Sequence, residues 1–253
     1  MRLYLAGIET YYKGKYALNI PKNTLILTSF YYCNDDYIRF LISKVGRENI
    51  LMDSGAYTFR THGLKGTNIE EYTKKYIDFI NKHDIKYFFE MDIDTNLEEY
   101  EKVKLLRHKI ETETGKKCIP VFHHTRGVNE WYNLCDNYDY IAVGGIAGKT
   151  NKQYMSNLKK LIKYAKNKNT KVHGLGYTSK DAQDIGFYSV DSTSWQSGKY
   201  GQIFYNSLNL KYPKSCNKPD KHRIKQDKIK ELMQHNFNVW YNYQQNLLKG
   251  DKI

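Results

Sequence analysis

The sequence predicts an α/β chain closed into a (β/α)8 TIM barrel with a C-terminal helical extension. Short apolar, β-rich runs alternate with longer amphipathic stretches, the pattern of strands and helices around a parallel sheet. There are eight such runs, where an open doubly wound sheet more usually has six. The 253 residues, 40% hydrophobic, suffice for one barrel-sized domain with its own core. No repeat, Gly/Ser linker or low-complexity tract marks a second.

Strands are expected at Leu3–Ile8, Leu25–Tyr31, Asn49–Asp53, Tyr87–Asp92, Cys118–His123, Tyr140–Gly144, Lys171–Leu175 and Phe187–Asp191. Helices are expected near Asp36–Lys44, Ile69–Lys82, Leu97–Thr114, Asn129–Cys135, Lys152–Lys166 and Ser179–Asp184. Asn68 with Glu71 makes a capping pair for the second of these, and the first strand pair lacks an obvious intervening helix. The barrel thus takes residues 1–210, and residues 211–253 supply a basic segment and a last helix. Apolar Ile229, Leu232, Met233, Phe237, Trp240, Tyr243 and Leu247 recur there at helical spacing, a face that closes the barrel.

Lys plus Arg number 40 against 27 Asp plus Glu, a formal charge of +13. Such an excess draws polyanions such as nucleic acid, although it also reflects a composition rich in Lys, Asn, Tyr and Ile. The lead-in to the last helix carries Lys211, Lys214, Lys218, Lys221, Arg223, Lys225, Lys228 and Lys230. It reads either as a solvated run or as a phosphate-contacting surface, with Lys218, Lys221, Arg223 and Lys225 as the candidates. Cys33, Cys118, Cys135 and Cys216 form no CxxC pair, so reduced thiols are expected. No signal-peptide run opens the chain and no window reaches the roughly 20 apolar residues of a membrane span. A soluble, intracellular protein without a membrane partner is expected.

In a (β/α)8 barrel the chemistry sits at the C-terminal ends of the strands. The third strand ends Asp53-Ser54-Gly55-Ala56-Tyr57, a carboxylate, a hydroxyl and a permissive glycine where backbone can meet a planar ligand; a simple turn cap reads equally well. The fourth ends Glu90-Met91-Asp92-Ile93-Asp94, and alternation puts the three acids on one face. Unpaired burial would be costly, so Asp92 is expected to face a ligand or a cation. The fifth ends His123-His124. The sixth ends Gly144-Gly145-Ile146-Ala147-Gly148 and the seventh His173-Gly174-Leu175-Gly176, where backbone N–H groups can approach a ligand, though tight turns use glycine anyway. The eighth ends Asp191-Ser192-Thr193-Ser194-Trp195; Asp191 also reads as a cap and Trp195 as core.

The ordered set DSGAY (Asp53–Tyr57), the acidic strand end at Asp92, PVFHH (Pro120–His124), VGGIA (Val143–Ala147), HGLG (His173–Gly176) and VDSTSW (Val190–Trp195) resembles the tRNA-guanine transglycosylase superfamily. It is most similar to compact relatives encoded by bacteriophages, which include enzymes that place 7-deazaguanines in DNA. The resemblance runs from about residue 3 to 205 and rests on order and spacing rather than on any one motif. DSGAY is similar to the family's DSGGF, which implies that Asp53 is the acid/base carboxylate and that Ser54, Gly55 and Ala56 cradle the base. VDSTSW implies that Asp191 is the nucleophile. Asp92 matches the base-reading aspartate, and Gly144 and Gly145, followed by Ile146, match the glycine pair beside the base. Gly174 and Gly176 join that lining, and Tyr57, Phe122 and Trp195 are candidates to stack on a flipped base.

Two departures stand out. His123-His124 occupies the place of the family's Gln-Gly, so base selectivity is expected to differ, and the C-terminal CxCxxC…H zinc site is missing, since Cys216 and His222 alone cannot make a four-ligand site. That region supports RNA in tRNA-modifying members, so DNA becomes the favoured polymer, with tRNA the alternative. The activity implied is exchange of guanine for a purine-like or 7-deazaguanine-type base through a covalent aspartyl-sugar intermediate, without metal or cofactor. A base-removing N-glycosylase, or a non-catalytic accessory barrel, stays open. The expected compartment is cytoplasmic, the host's if the chain is viral, and pairing of the barrel with itself as a homodimer is left open.

Overall fold

The computed structural model describes residues 1–62, 68–93, 97–146, 151–205 and 212–250. Eight strands form one parallel sheet: β1 (Arg2–Ala6), β2 (Ile26–Ser29), β3 (Ile50–Asp53), β4 (Tyr87–Phe88), β5 (Val121–Phe122), β6 (Tyr140–Val143), β7 (Lys171–Gly174) and β8 (Ser189–Ser192). Their order is β4-β3-β2-β1-β8-β7-β6-β5. The outer two strands meet through a parallel bridge between Phe89 and Ile119. Glu90 N donates to Ile119 O at 3.1 Å and Ile119 N to Phe88 O at 2.8 Å. The sheet curls into a (β/α)8-type barrel, as the count of apolar runs predicts.

Alternation along the strands separates two apolar clusters. Tyr4, Ala6, Leu25, Leu27, Leu51, Phe89, Ile119, Val121 and Ala142 point inward and fill the barrel. Their neighbours point outward and pack beneath the helices.

β4 and β5 are shorter than the sequence predicts, and side chains are the reason. After the Phe89–Ile119 bridge the ladder's next bond would run from Val121 N to Glu90 O. The Glu90 carboxylate accepts that N–H instead, at 2.8 Å, and Arg126 donates to Val121 O. Asp92 N turns back onto Glu90 O at 3.1 Å. Two charged side chains thus stand in for main chain, and Asp92 is released from the sheet.

The helices are α1 (Asp35–Val45), α2 (Ala56–His62), α3 (Ile69–His83), α4 (Leu97–Thr114), α5 (Val128–Asn137), α6 (Lys152–Asn167), α7 (Ala182–Ile185) and α8 (Gln226–Leu248). Among the described residues asparagine side chains cap three of them: Asn34 accepts from Tyr37 N at 2.9 Å, Asn68 from Glu71 N at 2.8 Å and Asn151 from Tyr154 N at 3.0 Å. α2 is an addition to the expected set, because it is short and carries no periodic apolar run. Gly55, at φ +70°, turns the chain into it, and a Cβ there would lie 2.6 Å from the Tyr31 Cβ.

No helix follows β1 before β2; buried Ile8, Leu18 and Ile20 fill that connection. α8 packs against β1 with Met233, Phe237 and Trp240 wholly buried. Two amides interrupt its apolar stripe. Asn236 accepts from Phe204 N at 3.1 Å and donates to Gln202 O at 2.8 Å. Gln244 accepts from Leu25 N at 3.0 Å and donates to Leu3 O at 2.7 Å and Leu25 O at 2.9 Å. Gln244→Ala strands these buried groups and is expected to destabilise the fold by about 1–3 kcal/mol. Urea denaturation should show a lower midpoint at unchanged slope.

Among the described residues no helix is long and apolar enough to cross a membrane, and all four cysteines are free.

Candidate active site

Asp53 and Asp191 end β3 and β8 at the same mouth of the barrel, in unlike surroundings. Asp53 is partly buried and accepts from Gly55 N at 3.1 Å. Burial pushes its carboxyl up from 3.8 to about 6; the Gly55 N–H works against this, while the charges of Asp92 and Asp191 add to it. Asp53 can therefore exchange a proton near neutral pH.

Asp191 sits opposite Tyr4 in the β1–β8 register. Its Oδ1 accepts from Gly176 N at 2.7 Å and meets His173 Nε2 at 3.2 Å. Its Oδ2 has no hydrogen-bond partner among the described residues. One oxygen is held and the other is left for a ligand.

Asp92, whose charge also acts on Asp53, is held by a histidine and a guanidinium. His123 Nε2 lies 2.8 Å from Asp92 Oδ1, and the Arg126 guanidinium lies 3.6 Å from that oxygen and 3.6 Å from Glu90. Arg126 also packs 3.9 Å from the centre of the Tyr100 ring.

The expected three-acid face is corrected here. Glu90 is wholly buried and paired to Arg107 at 3.4 Å as well as to Arg126. Burial outweighs the pull of both guanidinium groups and pushes Glu90 up to about 7. It is a structural ion cluster, because the turn after β4 breaks the alternation that would align Glu90 with Asp92. Asp94 lies outside the described residues.

The glycine pair serves His123 directly. A Cβ on Gly144 would fall 2.5 Å from His123 Cε1, and one on Gly145, at φ +65°, 3.5 Å from His123 Nδ1. Gly144 N donates to Phe122 O at 2.9 Å and so is spent within the sheet. Gly176 holds Asp191, and Gly174 backs onto the Phe187 ring, which a Cβ would meet at 3.0 Å.

Other expected lining residues face away. Ser54 and Ala56 are buried, with Ser54 Oγ accepting from Ala56 N at 3.4 Å and Ser54 O from the Tyr72 hydroxyl at 2.8 Å. Ile146 is wholly buried in the outer cluster. Ala147 and Gly148 lie outside the described residues. Trp195 is no stacking platform: it is wholly buried, donates from Nε1 to Ala6 O at 2.9 Å and packs edge-on to Tyr11 and Phe237. Phe122 is buried against Trp131. Tyr57, 77% exposed, is the aromatic candidate open to a ligand.

Sequence reasoning missed His173, Arg126 and Glu9 as parts of this mouth. Glu9 ties β1 to β2 by accepting from Thr28 Oγ1 at 2.8 Å and Ser29 N at 2.9 Å. His173 had a signal, since it opens HGLG on an inward strand position; Arg126 and Glu9 lie on connections with no periodicity to read.

Lys218, Lys221, Arg223 and Lys225 are exposed, and none is ion-paired among the described residues. Asp220 N bonds Tyr200 O at 2.7 Å, Ile224 N bonds Lys199 O at 3.1 Å, and the Tyr212 hydroxyl donates to Thr178 O. Thr178 follows β7 and Lys199–Tyr200 follow β8, so the segment is anchored to loops leaving the mouth. Lys211 lies outside the described residues. Among the described residues no group of three His, Cys, Asp or Glu side chains is placed to hold a metal ion.

No family model and no curated protein matches the chain.

Proposed function

We propose that the protein is a nucleic-acid base-exchange transglycosylase, replacing guanine with a 7-deazaguanine-type base, with DNA favoured over tRNA. The observation that carries this reading is the division between two carboxylates at one barrel mouth. Asp53 is poised to carry a proton, while Asp191 keeps one oxygen held and the other free. Two carboxylates in surroundings this unlike suit divided acid and nucleophile roles.

In the first half-reaction Asp191 Oδ2 bonds to C1′ of the sugar as the C1′–N bond breaks through an oxocarbenium-like state. The electron pair leaves with the base, which takes a proton from Asp53. The incoming base then bonds to C1′ through its ring nitrogen, returns that nitrogen's proton to Asp53, and releases the Asp191 carboxylate. The N–H of Gly176 stabilises the departing charge. Asp92, steadied by His123 and Arg126, reads the hydrogen-bonding edge of the base. The target base must be flipped out or single-stranded, with Tyr57 as a stacking surface, and the exposed Lys218–Lys225 segment supplies phosphate contacts.

The test is incubation of DNA and, separately, tRNA with labelled guanine and labelled 7-deazaguanines. Label is expected in DNA. Base loss without incorporation would convert the reading to an N-glycosylase, and binding with neither outcome to an accessory barrel.

A further inference from the structure

Four polar side chains on three neighbouring strands form a line through the barrel interior. The Tyr140 hydroxyl lies 2.6 Å from Ser189 Oγ, Ser189 Oγ lies 2.7 Å from His173 Nδ1, and His173 Nε2 lies 3.2 Å from Asp191 Oδ1. Register brings them together: His173 pairs with Ala142 on β6 and with Ser189 on β8. His173 and Ser189 are wholly buried. The imidazole lies between the rings of Tyr4 and Phe89, at 6.1 and 5.3 Å. Tyr4 and Tyr140 are both kept as neutral phenols, burial being the main cause in each.

Hydrogen-bond chemistry fixes the direction of this line. An ionised Asp191 only accepts, so His173 Nε2 carries the hydrogen, and in a neutral imidazole Nδ1 then accepts. Ser189 donates to Nδ1 and accepts from Tyr140. With a neutral imidazole every proton along the line then has one place.

We infer that His173 is the positioning residue for Asp191, locked by Ser189 and Tyr140 as the Nε2–H tautomer so that Oδ1 stays the held oxygen and Oδ2 the attacking one. This rests on the base-exchange reading. The bonds changed are those given above, Oδ2–C1′ forming as C1′–N breaks, and no proton moves along the line. Oδ1 becomes the ester carbonyl with both of its N–H donors already in place. Holding the attacking oxygen in line is an orientation effect, and a misplacement of about 1 Å costs on the order of 10² in rate.

Two measurements test it. In full-length protein with ¹⁵N-labelled histidine, long-range ¹H–¹⁵N spectra should show His173 as the Nε2–H tautomer with Nδ1 accepting a hydrogen bond. Ser189→Ala should shift Nδ1 to an unbonded nitrogen. In single-turnover adduct formation, His173→Leu should slow the step about 10²-fold with polymer affinity unchanged, and His173→Gln, which keeps a donor to orient Oδ1, should recover most of it. Tyr140→Phe removes only the far end and should leave the fold intact while perturbing the same Nδ1 signal. A His173 found as the Nδ1–H tautomer, or wild-type adduct formation in His173→Leu, overturns the inference. The spectra need no substrate, so they decide the tautomer even if wild-type protein exchanges no base, a failure that would fall on the proposed function.

Discussion

Asp191→Asn is expected to lower base exchange by at least about 10³-fold and to eliminate the covalent polymer adduct, with the fold and nucleic-acid binding retained. Asparagine has nearly the same shape, and its amide oxygen can still accept from Gly176 N and His173 Nε2, which now hold Oδ1 at 2.7 and 3.2 Å. What is lost is the second anionic oxygen, the atom proposed to bond to C1′. Denaturing gels and mass spectrometry read the adduct, while thermal melts and filter binding read the fold and affinity. An adduct in this variant would sink the nucleophile assignment.

Asp53→Asn is expected to slow adduct formation by about 10²–10⁴-fold, the range for a positioned proton carrier. In wild-type protein the single-turnover rate should fall as pH rises through about 6, where Asp53 loses the proton that the departing base requires. The variant should lack that limb. Stability should fall over the same rise in pH, and it should respond to the substitution in the opposite sense to activity. The folded-state value of about 6 lies above the ordinary 3.8, so ionising Asp53 costs the folded protein. That cost is absent below about pH 3.8, grows through the interval and is complete above about 6. Asp53→Asn should therefore be more stable than wild type at pH 7, by about 3 kcal/mol, with most of the gain gone near pH 4.

Much of the barrel was legible because its strands are apolar runs with period two and its helices carry asparagine caps and amphipathic faces. The ends of β3 and β8 were legible as a site because a barrel gathers its strand ends at one mouth, whatever their separation in the chain. The His123–Asp92 pair was only half legible. His123 stood out, but the need for glycine at Gly144 comes from a ring on the neighbouring strand, and such cross-strand proximity leaves no local spacing. The early end of β4 was hidden for a similar reason, since a carboxylate replacing a carbonyl in the ladder looks in sequence like one more acid. Trp195 went the other way: an aromatic after a strand end is compatible with platform or core, and its acceptor, Ala6 O, lies 189 residues away.

The Gln244 clamp has a consequence for how the molecule is made. Its partners, Leu25 just before β2 and Leu3 on β1, are separated from it by 219 and 241 residues, so β1 emerges from the ribosome long before the helix that seals it. Contacts of such long range close late and slow folding. During synthesis the growing chain therefore carries an unfinished seam at β1 until α8 has been made.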